Sequence, residues 1–236
     1  MIDTRFQGEP DFDDVRRAAA RLQALVPDAV LVGGTAAAHH AGHRVSFDAD
    51  HVVVDLVERF DDVLAALEDT DGWVTARVRR PVLVLGSLDG VETGVRNLIR
   101  RRPLEVEAVD VDGSPLRVPT LEEITRVKAW LVLVRNATRD YLDVAALADR
   151  LGERRAAEVL LDMDDYYEDQ LGFGGRRVAT QVARQLAEPA PYDLSEVDLA
   201  RYRRLAAPWR DWGAVADRCR RLATAVLDLV AQEDRR

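Results

Sequence analysis

Lysine is almost absent from this chain. Of its 33 basic residues only Lys128 is lysine; the other 32 are arginine. Asparagine is nearly as scarce, occurring only at Asn97 and Asn136. Together with the richness in alanine and valine, this is the mark of a high-GC coding bias, under which surface lysines drift to arginine. A surviving lysine then points to a position where a guanidinium cannot replace a compact ammonium charge. The single cysteine, Cys219, excludes an internal disulfide and fits a reducing compartment. No apolar run approaches the ~18 residues of a membrane span, and no basic-then-apolar leader opens the sequence. The expectation is a cytoplasmic protein without a membrane partner. The net charge of -9 argues against indiscriminate coating of nucleic acid, yet it leaves room for a local basic groove.

With 236 residues, 47% hydrophobic and 32% charged, the chain is neither disordered nor too short for a core, and it has room for one or two domains. Helical spacing of Phe12, Val15, Ala19, Leu22, Leu25 and Val26 predicts a helix over 11–26. A short strand over 29–32 runs into Gly33-Gly34, followed by an alanine-rich helix over 35–41, a strand over 46–56 and a helix over 58–67. Between Trp73 and Val118, short runs broken by Gly, Pro and Asp predict an antiparallel-like sheet with tight turns. From Thr120 onward the pattern is helical, opened by a capping box at Thr120–Glu123. Helices are expected over 120–134, 138–151, 153–167, 176–186, 195–205 and 211–232, with linkers at 172–175 and 188–191. The chain divides into an α/β half, 1–119, and a helical half, 120–236.

The stretch that carries chemistry is Leu31-Val32-Gly33-Gly34-Thr35-Ala36, followed by His43-Arg44-Val45-Ser46-Phe47-Asp48-Ala49-Asp50. A strand enters a glycine turn that opens a helix, whose N-terminal N–H groups favour anions. Strand alternation puts Ser46, Asp48 and Asp50 on one face. Two carboxylates beside a phosphate-binding turn suit Mg²⁺, which takes one or two carboxylates plus substrate phosphates.

Gly-Gly-Thr followed by Ser-x-Asp-x-Asp resembles the signature of the DNA polymerase β-type nucleotidyltransferase superfamily. The fuller pattern, from Leu31 through Gly42-His43-Arg44 to Asp50, is similar to the AbiEii-type toxin branch, which includes the MenT-like toxins. A second block agrees: Lys128, Arg135, then Arg139-Asp140-Tyr141-Leu142-Asp143. The resemblance covers 30–151. It implies an α+β fold, with a polymerase-β-like core of mixed sheet and flanking helices followed by a C-terminal helical bundle that contributes Lys128 and Asp140. It implies that Gly33, Gly34, Thr35 and Ser46 hold NTP phosphates and that Asp48 and Asp50 hold Mg²⁺. Lys128 contacts the triphosphate or pyrophosphate, Asp140 is a distal catalytic or positioning acid, and Arg44 and Arg139 are phosphate partners. It further implies transfer of NMP to an RNA acceptor, the tRNA 3′ end, and a cognate antitoxin. The alternatives are transfer to a small molecule such as an aminoglycoside, or a nucleotide-binding regulator that has lost catalysis.

One departure bears on that choice. Where many superfamily members carry a third acid on a later strand, this sequence has Gly94, so the third carboxylate is absent, unneeded, or displaced to Glu92, Asp89, Glu105 or Glu107. Plainer expectations stand beside the functional ones. His39 and His43, four residues apart, suit local packing better than zinc, and Trp209 and Trp212 suit anchoring of the last helices. Cys219 suits the core, and the acids of 162–169 suit a solvated face. The arginines at 77, 79, 80, 96, 100, 101 and 102 suit equally a solvated rim and a path for an RNA acceptor. Lys128→Arg is expected to keep the fold yet cut transfer.

Overall fold

Asp11 caps the first helix, accepting from the Asp14 backbone at 2.7 Å while Asp14 accepts from the Asp11 backbone at 3.1 Å. This reciprocal pair fixes the start of α1 (Phe12–Leu25). The molecule is described from a computed structural model covering residues 10–170, 177–233 and 235. Two units emerge. The first comprises the described residues up to Ala36, Val45–Ile99 and Glu105–Pro119; the second comprises Ala37–Arg44, Arg100–Leu104 and the described residues from Thr120.

In the first unit, five strands form one sheet: β1 (Val30–Leu31), β2 (Asp48–Val53), β3 (Trp73–Arg79), β4 (Leu83–Leu88) and β5 (Val91–Asn97), in the order β1-β2-β5-β4-β3. The β2–β5 pair is parallel and the others antiparallel, so the sheet is mixed. The pairings among the strands between Trp73 and Val118 are antiparallel as expected, and the parallel element enters where the connection through α3 (Phe60–Glu68) and the β3–β4 hairpin brings β5 alongside β2 in the same direction. A separate hairpin pairs β6 (Val106–Val111) with β7 (Ser114–Pro119).

Alternation sorts the sheet into two faces. Val53, Val84, Leu88 and Val95 pack with Leu22 of α1, with Val26 just after it, and with Phe60, Val63, Leu64 and Leu67 of α3. The opposite residues of β2 and β4, namely Asp48, Asp50, Val52, Leu83, Leu85 and Ser87, are only half-buried. The apolar face therefore anchors the sheet and leaves the carboxylate face open.

Helix α2 (Gly33–Ala41) begins two residues after β1, and the division between the units falls within it. The helical unit contains α4 (Leu121–Arg135), α5 (Thr138–Leu151), α6 (Glu153–Leu161), α7 (Met163–Tyr166), α8 (Val178–Ala187) and α9 (Trp212–Glu233). Its core joins Trp130, Tyr141, Leu160, Val182, Leu186, Cys219 and Leu222. Trp209 is buried and Trp212 packs on the same core, with its ring 6.0 Å from that of Tyr141.

Three local expectations differ. Instead of a helix over 195–205 the chain makes two 3₁₀ turns, Leu194–Glu196 and Tyr202–Arg204. The Asp198 side chain accepts from Ala200 N at 3.1 Å, a local bond that competes with helix, and Arg204 lies at φ +53°. The expected helix over 153–167 is divided at Asp162 into α6 and α7. At Thr120 only half of the capping box forms. Thr120 Oγ1 accepts from Glu123 N at 3.2 Å, but the Glu123 carboxylate is drawn inward to Arg100 and Arg126. The expected linker over 172–175 lies outside the described residues.

Candidate active site

Asp48 and Asp50 stand on the same face of β2. Ser46 Oγ donates to Asp48 Oδ1 at 2.6 Å, and Thr35 Oγ1 donates to the Asp48 carbonyl at 2.5 Å. Thr35 in the first turn of α2 is thus tied to the strand that carries both acids. Val32 N donates to the Asp50 carbonyl at 2.7 Å, extending the β1–β2 pairing to the helix start. Gly33 has φ +72°, and a Cβ there would lie 3.3 Å from both Cβ and Oδ2 of Asp50. Both the left-handed backbone and the close approach demand glycine. Asp50 consequently lies against the N-terminus of α2, where a negative charge is stabilised.

The parallel register carries the face across the sheet. Asp48 is opposite Glu92 and Asp50 opposite Gly94, and β4 places Ser87, Leu85 and Leu83 opposite Glu92, Gly94 and Arg96. On β3, Val74, Arg77 and Arg79 follow opposite Ser87, Leu85 and Leu83. Because residues directly opposite one another share a face, Arg96, Arg77 and Arg79 share the carboxylate face. Arg96 Nη2 donates to Asp50 Oδ1 at 2.9 Å, with both side chains partly exposed.

Gly94 therefore occupies the row of Asp50. A Cβ built there would lie 2.5 Å from the Val84 carbonyl and 2.6 Å from Leu85 Cδ2. The strands have closed over the place a carboxylate stem would take. Of the displaced candidates, Asp89 pairs with Arg21, and Glu105 and Glu107 belong to the β6–β7 segment. Glu92 alone lies on the carboxylate face, exposed and opposite Asp48. Among the described residues, no group of three His, Cys, Asp or Glu converges to hold a metal ion. Asp48 and Asp50 alone carry the metal-ligating expectation.

The second motif block, in the helical unit, forms a buried charge network. Asp143 accepts from His43 Nε2 at 2.7 Å, from Arg44 Nε at 2.7 Å and from Arg44 Nη2 at 3.0 Å. Lys128 Nζ lies 2.7 Å from Asp143 Oδ2 and 3.8 Å from Asp140 Oδ1, and Arg135 Nη2 donates to Asp140 Oδ1 at 3.1 Å. Lys128, Asp140, Asp143, His43 and Arg44 are all buried, and Lys128 is only 2% exposed. Burial pushes the Asp143 carboxyl up, but Arg44, Lys128 and His43 outweigh it and hold the group well below the usual carboxylate range. At Asp140 burial prevails over Lys128 and Arg135, and the carboxyl is raised. Lys128 and Arg44, expected at phosphates, are in this structure directed to Asp143, whereas Arg139 is exposed. His43, which lies in the first motif, is a hydrogen-bonding residue of this network.

In the sequence Asp143 stands only as the last residue of the second motif block, and nothing in its spacing marks it as the hub. The basic cluster also divides. Arg80 pairs with Asp61, and Arg100 is buried with Glu123. The Arg102 and Arg126 guanidiniums stack on the Tyr166 ring at 3.7 and 3.9 Å from its centroid. Only Arg77, Arg79 and Arg96 are placed on the carboxylate face.

No protein-family model matches the chain. Its sequence is 32% identical over 244 residues to the heme uptake protein MmpL11 of Mycobacterium tuberculosis, a match covering 93% of this chain and 23% of that protein. It is 38% identical over 132 residues to the mycolic acid-containing lipids exporter MmpL11 of Mycolicibacterium smegmatis, covering 55% and 13% respectively. The chain thus spans less than a quarter of the curated relatives it matches, and none of its described helices is long and apolar enough to cross a membrane. Among solved structures, it resembles JHP933 of Helicobacter pylori with a TM-score of 0.52 at 18% identity, over 94% of both chains. It resembles the antibiotic-resistance factor ANT(2'')-Ia with a TM-score of 0.50 at 13% identity, over 68% of this chain and 95% of that one. Mixed sheet, flanking helices and helical C-terminal segment together make this a nucleotidyltransferase fold.

Proposed function

We propose that this chain is a nucleotidyltransferase of the AbiEii/MenT toxin type. In this proposal it takes an NTP on the carboxylate face of its sheet and transfers NMP to an RNA hydroxyl, the tRNA 3′ end. The observation that carries the proposal is the joining of Asp48 and Asp50 to the glycine-opened N-terminus of α2, with Gly33 pressed against Asp50. Cytoplasmic action and restraint by a cognate antitoxin belong to the same proposal.

The donor set fits one Mg²⁺. Ser46 and Arg96 each engage Oδ1 of their carboxylate, leaving the second oxygen of Asp48 and Asp50 clear of those partners, and phosphates and water complete such a site. Gly94 offers no carboxylate in the row of Asp50, and Glu92 is the one further acid among the displaced candidates on this face. When bound, Mg²⁺ supplies charge neutralisation at the triphosphate. Gly33, Gly34 and Thr35 present helix N–H groups to phosphate oxygens, and Ser46 orients Asp48. The acceptor hydroxyl forms the new bond to the α-phosphorus as the α–β bridging bond breaks and pyrophosphate leaves. Because phosphoryl-type transfer depends mainly on positioning and charge stabilisation, loss of a third acid lowers the rate without removing the chemistry. Arg77 and Arg79, on the same face, offer phosphate contacts to an acceptor. Within the helical unit Arg139 is exposed, whereas Lys128 and Arg44 engage Asp143.

Two other outcomes have observations behind them. The likeness to ANT(2'')-Ia favours a small-molecule acceptor such as an aminoglycoside, and the closed position at Gly94 favours nucleotide binding without transfer. Incubation with α-labelled NTPs and Mg²⁺, given total tRNA or an aminoglycoside, separates them. Label in tRNA that disappears with Asp48→Asn supports the proposal. Label only on the aminoglycoside, or no transfer despite NTP binding, overturns it.

A further inference from the structure

Asp50 already has its counter-charges within the protein. Arg96 Nη2 lies 2.9 Å from Asp50 Oδ1, and the first turn of α2 lies against the other side of the carboxylate. Gly94 is paired directly with Asp50, and the closed backbone around it allows no side-chain stem there. A guanidinium is therefore fixed one alternation beyond the glycine, on the carboxylate face, partly exposed and able to grip two phosphate oxygens at once. Arg77 and Arg79 extend the positive face, and Leu83 and Leu85 between them carry no competing acid.

We propose that Arg96 is the triphosphate anchor of this face and takes the place of the cation that a third carboxylate would hold. Nucleotide retention is then independent of divalent metal, even where transfer requires it. When a polyphosphate arrives, Arg96 exchanges Asp50 for phosphate oxygens. In the absence of metal Asp50 is thus a competitor of the ligand, whereas with Mg²⁺ it is a ligand of the ion. This makes Asp50 act with opposite signs in the two conditions, which a site depending wholly on metal does not do. The inference rests on the proposed nucleotide site.

The test is isothermal titration calorimetry of the full chain with inorganic tripolyphosphate, a base-independent probe, in EDTA and in Mg²⁺. The wild type is expected to bind in EDTA within about threefold of its Mg²⁺ affinity. Arg96→Ala is expected to lose tenfold or more in EDTA and less in Mg²⁺. Asp50→Asn is expected to bind severalfold tighter in EDTA and tenfold or more weaker in Mg²⁺. Circular dichroism verifies that each variant is folded, and Arg96→Lys, which keeps the charge but not the fork, is expected to recover part of the EDTA affinity. Binding that appears only with Mg²⁺, or an Asp50→Asn variant weakened in both conditions, overturns the Arg96 assignment while leaving the nucleotide site standing. No binding of tripolyphosphate or of any of the four NTPs in either condition overturns both.

Discussion

Removing Asp143 is expected to unfold the helical unit more readily than removing any one of its partners. Asp143 is fully buried and accepts from Arg44 twice, from His43 and from Lys128. Asp143→Ala leaves two buried cations facing a cavity. Breaking a buried pair by deleting one partner costs about 3–5 kcal/mol, and losing the shared hub belongs at the upper end. Lys128→Met is milder, because Asp143 keeps Arg44 and His43 while Asp140 keeps Arg135 at 3.1 Å; about 3 kcal/mol is expected. Lys128→Arg also carries a cost, of about 1–3 kcal/mol, because a larger head must enter a space only 2% exposed. Urea unfolding followed by tryptophan fluorescence reports the right region, since three of the four tryptophans, Trp130, Trp209 and Trp212, belong to it. With a slope of roughly 2 kcal/mol per molar urea, the Asp143→Ala midpoint is expected to fall by about 2 M or more. The sign with pH follows from the lowered carboxyl of Asp143. Its stabilisation is present above the ordinary carboxylate value and is lost only as pH falls through the depressed one, so the wild-type advantage stays constant from pH 7 to about 4. An Asp143→Ala cost below about 1 kcal/mol, or one smaller than that of Lys128→Met, would refute the hub assignment.

Other expectations follow from single groups. Burial pushes the His51 imidazole down to about 4, so between the ordinary value near 6.5 and 4 the unfolded chain binds the extra proton and stability falls as the pH is lowered. His51→Leu is expected to remove at most about 3 kcal/mol of that slope, and a variant keeping the full wild-type slope in chemical unfolding contradicts this. Gly94→Asp is expected to destabilise by about 1–3 kcal/mol or more and to add no Mg²⁺ affinity in calorimetry, because its Cβ meets the Val84 carbonyl. A stable variant with tighter Mg²⁺ binding would show that the strands yield. Burial also pushes the Cys219 thiol up to about 12, so a thiol-specific reagent at pH 8 should label it only after denaturation.

How far the sequence disclosed this molecule varies with the range of the forces involved. The carboxylate face was legible because strand alternation is local: Ser46, Asp48 and Asp50 share a face in any extended chain. Gly94 was placed at the third-acid position by resemblance alone, and that it stands opposite Asp50 follows from the parallel register of β2 and β5, which the sequence does not disclose. The Arg96–Asp50 pair was not legible, since it depends on the parallel register of strands 46 residues apart in sequence. The network at Asp143 joins positions about 100 residues apart, and no periodicity announces such a pairing. The helix expected over 195–205 failed for a local reason, the Asp198 side-chain turn, which apolar spacing alone does not weigh.

Double labelling of the nucleotide tests the central claim most directly. Given purified protein, Mg²⁺, total tRNA and an NTP labelled at either the α- or the γ-phosphate, the account predicts α-label on the tRNA 3′ end and γ-label in pyrophosphate. Both signals should be lost with Asp48→Asn or Asp50→Asn. γ-Label on the acceptor, release of inorganic phosphate in place of pyrophosphate, or undiminished transfer by either aspartate variant would contradict nucleotidyl transfer from this face.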